Sequence, residues 1–174
     1  MDWNKNKLVS CCIGIMLVLA ACKIEYKFTG ASVNYELTKS ISVQDFPNYA
    51  DYVVPTLSQT FTQALRNRFI NQTRLKMLDA NADLEVEGEI TGYRTDDMAV
   101  KADALASETK LTITVKLRFR NTKKPDEDID NQTFSAYRSF NSATKRLDEV
   151  ENDLIKEIVE DLTDQIFNAT LGNW

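Results

Sequence analysis

The sequence predicts an α+β fold, a two-layer sandwich with two helices packed on one face of a four-stranded mixed sheet, in the order β-α-β-β-β-α. Residues 75–94, 109–121 and 132–141 alternate apolar and polar side chains, the period of half-buried antiparallel strands. Two further stretches, 56–73 and 147–168, repeat apolar residues at helical spacing. Ile41 and Val43 share one face of a short segment, SISVQDF, that precedes the first helix.

The first 22 residues stand apart from this domain. Lys5 and Lys7 precede an uncharged run from Leu8 to Ala21, and Cys22 follows it. That is the order of an exported signal peptide, and the run is shorter than the roughly 20 residues a membrane-crossing helix needs. Leu19-Ala20-Ala21-Cys22 resembles the bacterial lipobox, in which the cysteine sulfur takes a diacylglyceryl group. The expectation is that residues 1–21 are removed as a lipoprotein signal peptide and that the mature chain begins at lipidated Cys22. Each buried acyl CH₂ contributes about 0.8 kcal/mol, so two or three palmitate-like chains hold such a protein on its membrane. Lys23 stands where aspartate marks retention in the inner membrane, and this points to the outer membrane.

Residues 22–37 show no sustained periodicity and read as a lipidated tether. Residues 38–174 then form a single domain of a size that one core can serve. The whole chain carries a net charge of −5, and losing Asp2, Lys5 and Lys7 takes it to −6, which argues against nucleic acid as a partner. Of the three cysteines, Cys11 and Cys12 leave with the signal and Cys22 is acylated, so no disulfide or thiolate metal site is expected. There is no histidine. Without it, and without a free thiol, the commonest general base, metal ligand and nucleophile are missing, so neither catalysis nor a metal or other cofactor is expected.

Within the domain, the connection 48–54 ends at Pro55, and Thr56 with Gln59 three residues later forms a capping-box pattern. Leu57, Phe61, Ala64, Leu65 and Phe69 form the buried stripe of the first helix. Val150, Leu154, Ile155, Ile158, Leu162 and Ile166 form that of the second, whose polar side carries Glu149, Glu151, Glu157 and Glu160. In the central strand Leu111, Ile113, Val115, Leu117 and Phe119 point one way, and Lys110, Lys116, Arg118 and Arg120 the other. Leu84, Val86, Gly88 and Ile90 alternate with Glu85, Glu87 and Glu89 in the strand before it. If the two pair with Val86 facing Leu117 and Ile90 facing Ile113, the apolar faces coincide. Asp83, Glu85 and Glu87 then oppose Arg120, Arg118 and Lys116, each pair contributing roughly 0.2–1 kcal/mol.

FTGAS (Phe28 to Ser32), ISVQDF (Ile41 to Phe46), PTLSQTFTQALRNRF (Pro55 to Phe69), the D-L-x-x-x-G-E-I-T-G-Y block (Asp83 to Tyr93), LTITVKLRF (Leu111 to Phe119) and IFNATLGNW (Ile166 to Trp174) follow one another after the lipobox. In that order the chain resembles a divergent branch of the LptE family of lipopolysaccharide-assembly lipoproteins. The resemblance implies a non-enzymatic plug in the lumen of an LptD-like outer-membrane β-barrel. That barrel inserts lipopolysaccharide into the outer leaflet, and the lipoprotein assists its folding and contacts the lipid headgroup.

Anionic headgroups call for Arg or Lys without neutralising partners. Arg118, Arg120 and Lys116 are matched by carboxylates in the expected register. Arg94 and Lys101 at one end of the meander, with Lys123 and Lys124 at the other, are therefore the candidate contacts. The loop 95–108 joins the first two meander strands. Two other readings compete: a lipid-anchored periplasmic protein-binding module, and a hydrolase using Asp96 with Asp97.

Overall fold

The computed structural model describes residues 33–98 and 108–172. The signal peptide, Cys22, Lys23, the FTGAS phrase and Lys101 lie outside the described residues. The sheet contains five strands, not four: β1 (Ser40–Val43), β2 (Lys76–Met77), β3 (Leu84–Met98), β4 (Glu108–Asn121) and β5 (Ile129–Asn141). Helix α1 (Leu57–Gln72) follows β1, and α2 (Leu147–Phe167) follows β5 and runs on into a π-helical turn at 168–172. The sheet order is β2-β1-β3-β4-β5, with β1 parallel to both neighbours and the last three strands an antiparallel meander. The extra strand β2 has two residues, too few for a period to show. Strand β3 runs on to Met98 and β4 starts at Glu108, so both ends of the expected loop 95–108 are paired strand.

Both helices bury their stripes against one sheet face. Leu57, Phe61, Leu65 and Phe69 of α1 are fully buried, and Ile158, Leu162 and Ile166 of α2 join Leu111, Ile113, Val115, Leu117 and Phe119 in one core. Phe69 and Phe167 meet between the helices at 5.7 Å. Val33 and Tyr35, from the segment read as tether, also pack against this core. Thr56 makes no capping bond through its side chain, so the expected capping box is absent. α1 is instead fixed to the end of β1 by polar side chains. Arg66 donates to the Val43 carbonyl at 2.7 and 3.1 Å, Ser58 donates to the Phe46 carbonyl at 2.5 Å, and the Phe46 N–H donates to Thr62 Oγ1 at 3.0 Å.

These bonds hold a departure from the sheet. Gln44 still donates to the Val86 carbonyl; the chain then leaves the ladder and rejoins β3, where Ile90 donates to the Pro47 carbonyl and Tyr49 to that of Ile90. The Phe46 ring is fully buried, packs edge-on against Phe61 at 5.0 Å and lies over Gly88. The missing side chain of Gly88 makes room for that ring.

The β3–β4 register differs from the expected one by two residues. Val86 faces Phe119, Ile90 faces Val115, and a bulge between Ile90 and Gly92 shifts the pairing by one more. A shift of two leaves every side chain on its face, so the apolar alternation holds while the charge pairs change. Glu87 pairs with Arg118 at 2.7 Å, and Arg120 pairs with Asp128 and Asp130 at 2.6 and 3.2 Å. Asp83 pairs with Lys123 at 3.0 Å.

Asp83 also ties β1 to the meander, since its carboxylate accepts the N–H groups of Lys39 and Ser40 at 2.8 and 3.2 Å. The Lys39 N–H above all, then Lys123, hold its pKa down to about 2 from 3.8. A depressed carboxylate pKa stabilises the fold above 3.8, and that contribution disappears as pH falls through 2. Asp83→Asn should therefore lose less stability on acidification across this window than the parent. Urea midpoints at pH 5 and pH 2.5 measure it, and equal losses in both proteins would refute the linkage.

Candidate functional site

The outer face of the meander divides into two halves of different chemistry. At the end where β4 turns into β5, charges neutralise one another. Lys124 lies 2.8 Å from Glu127, Lys123 is held by Asp83, and Arg118 and Arg120 sit among Glu87, Asp128 and Asp130. Asn121 organises this turn: its side chain donates to Glu127 and accepts the N–H groups of Lys123 and Lys124. Lys123 and Lys124 are thus parts of a turn and not unmatched cations, which corrects the premise on which they were chosen.

At the opposite end the face is built from hydroxyls, an aromatic ring and cations. Beyond the bulge in β3 the alternation changes phase: Tyr93 turns inward, where its hydroxyl donates to Glu151 of α2 at 2.6 Å, and Arg94 turns outward. Burial first, then the Glu151 carboxylate, push the Tyr93 hydroxyl well above its ordinary pKa, so it stays protonated. Arg94 is 72% exposed, but its Nε lies 3.0 Å from Asp96, so it too has a carboxylate partner and is not the unmatched cation expected from the sequence. Lys110 Nζ lies 5.3 Å from the centre of the exposed Tyr137 ring, within cation–π range. The register that sets Thr112 opposite Tyr137 and Lys110 opposite Ser139 places this contact on the diagonal. Thr114 and Ser135, whose hydroxyls lie 3.2 Å apart, continue the surface toward the middle of the sheet.

Lys110 makes no ion pair with a carboxylate among the described residues, and neither does Lys116, whose expected partner Glu87 is taken by Arg118. The alternation singled out both lysines as outward-facing, but their freedom depends on the offset of the strands. Tyr137 carries no such signal in the sequence, because only the β4–β5 register brings it under a lysine. Asp96 and Asp97 do not form a carboxylate pair: Asp96 accepts from Arg94 on the outer face, and Asp97 accepts from the buried Thr109 hydroxyl at 2.9 Å. The hydrolase reading therefore loses its site. No helix among the described residues is long and apolar enough to cross a membrane.

An open, flat surface of this kind can bind a phosphorylated or acidic saccharide through cations and hydroxyls, with the tyrosine ring as a stacking platform. A family model described as LptE, lipopolysaccharide-assembly, matches residues 38–170. Among solved structures, hypothetical protein CT253 from Chlamydia trachomatis is similar at 11% identity and a TM-score of 0.50, over 78% of this chain and 99% of that one. The rare lipoprotein B from Shewanella oneidensis shows 14% identity and a TM-score of 0.48, over 75% and 92%. A minor lipoprotein from Acinetobacter baumannii shows 15% identity and a TM-score of 0.47, over 74% and 89%. No curated protein matches the chain by sequence.

Proposed function

The chain belongs to the LptE lipopolysaccharide-assembly family, and from that membership we propose that it is the plug and assembly partner of an LptD-like outer-membrane β-barrel that inserts lipopolysaccharide into the outer leaflet. It is held there by lipid on Cys22, with its domain on the periplasmic side or within the barrel lumen, and it performs no catalysis. The family match over residues 38–170 carries this reading. The hydrated outer sheet face, with its glutamates, lysines and hydroxyls, suits a water-filled lumen. Arg94, Lys110 and Tyr137 are assigned to the headgroup, together with Lys101. Lys123 and Lys124, neutralised in their turn, take a lesser part.

Purification of the lipidated protein from detergent extracts tests the partnership. A plug should bring one large barrel with it in equal amounts, whereas a free-standing periplasmic binding module would not. Depletion should leave the barrel misassembled and surface lipopolysaccharide reduced. The headgroup surface is tested by lipopolysaccharide binding to the purified domain. Charge reversal of Arg94 with Lys110 should weaken binding by about tenfold or more, as loss of two charge-assisted contacts implies. Reversal of Lys123 with Lys124 should cost much less, and equal losses would remove the special status of the Arg94 and Lys110 end of the outer face.

Cys22→Ser should abolish acylation and leave an unlipidated, mislocalised precursor, since no helix among the described residues is long and apolar enough to cross a membrane. Equal palmitate labelling of the variant and the parent would end the lipoprotein assignment.

A further inference from the structure

Strand β5 is the last in the sheet order, bonded along one side to β4 and along the other to nothing among the described residues. It is 13 residues long, whereas the strand at the opposite edge has two. A long edge strand exposes a row of unpaired N–H and C=O groups, and proteins ordinarily block such rows with lysine, proline or extra charge. That protection is missing here. The chain is 27% charged, yet between Gln132 and Asn141 the single charged residue is Arg138. Its guanidinium reaches α2, meeting Asp161 at 2.5 Å and Glu157 at 2.8 Å, and the one backbone group of β5 it touches is the Tyr137 carbonyl, to which Nη1 donates at 3.0 Å. The outward side chains along the edge are Thr133, Ser135, Tyr137 and Ser139, which permit pairing on either side.

The flank of the edge selects the occupant. Glu149, Asp153, Glu157 and Asp161 follow one another at four-residue steps, so they form one row along α2. The contact of Arg138 with two of them shows that this row overlooks β5. Among the described residues, Arg138 is the one cation that forms an ion pair with this row. Asp153 is exposed and without an ion pair among the described residues, and Glu157 is 59% exposed. A second copy of this acidic chain, added edge to edge, would bring two such rows together and be repelled.

We propose that the β5 edge accepts an extended basic segment of another protein, which adds to the sheet as a sixth strand with alternate Lys or Arg side chains facing the carboxylate row of α2. Backbone hydrogen bonds supply the attachment, and the alternate basic residues supply the selectivity. The site lies at the sheet margin, and it does not depend on the assignment of a headgroup to the outer face.

The test uses the folded protein and an end-blocked ten-residue peptide of alternating Lys and Val, with a Glu-Val peptide as its counterpart. Calorimetry should show binding of the basic peptide alone, weakened by salt. Amide exchange should slow at alternate residues of β5, those directed away from β4. Asp153→Lys should weaken binding about tenfold, as reversal of a charge facing a cationic partner implies. Asp51→Lys, an equal charge change in the loop after β1, should leave it nearly unchanged. Three results would overturn the proposal: equal loss in both variants, unchanged β5 exchange, or dimerisation of the protein through β5 without peptide.

Discussion

Leu117→Asp is expected to leave no folded domain. Leu117 is fully buried in the middle of β4, on the face that both helices cover. An aspartate there would carry its charge into the core with no cation to meet it. The cost is several kcal/mol, comparable to the whole stability of a domain of this size, about 5–15 kcal/mol. Lys116→Asp, one residue earlier on the outer face, should change stability by about 1 kcal/mol or less. Circular dichroism melts separate the two, and similar melting would contradict the alternation of β4.

Gly88→Ala is expected to cost about 2–3 kcal/mol, at the upper end of what one added methyl does in a packed interior. In an ordinary strand the same change is favourable by roughly 0.5–1 kcal/mol, because alanine has less backbone freedom to lose. Here the new Cβ would collide with the Lys116 carbonyl oxygen and with the Phe46 ring. The first is backbone, and the second is held by Phe61, so neither can yield cheaply. At Gly92 the nearest atoms are those of the Thr114 side chain, at 3.2 and 3.3 Å, so Gly92→Ala should be tolerated far better. Urea midpoints decide the matter, and equal shifts at the two glycines would refute this account of Gly88.

What the sequence reveals of this fold is parity, and what it conceals is offset. Alternation in β3 and β4 assigns Val86, Leu117 and Phe119 to the core whichever of them are partners, because the period of a strand is two. It says nothing about whether Val86 meets Leu117 or Phe119. That choice depends on the bulge near Thr91 and on the bonds from Thr122 to the Asp83 carbonyl at the start of β3, features with no periodic signature. The candidate site follows the same division. Arg94 can be found as a cation near the end of a strand, but Lys110 over Tyr137 exists only once β4 and β5 are in register. Ser58, Thr62 and Arg66 look like the solvent side of a helix, and their part in anchoring β1 needs the tertiary fold to be visible.

The place of β1 in the sheet has a consequence in time. Strands β3, β4 and β5 each meet a neighbour adjacent in the chain, so the meander can assemble by short-range closure. β1 comes first in the chain, yet its partners lie far along it, with Ser40 beside Lys76 and Ile41 beside Leu84. It offers four residues and must wait for a helix and two later strands before it can pair on either side. Closing so long a loop for so few bonds makes β1 slow to dock during folding and quick to open afterwards. The earliest strand in the sequence therefore joins the sheet late, and β2, which pairs with β1 alone, can be added only once β1 is in place.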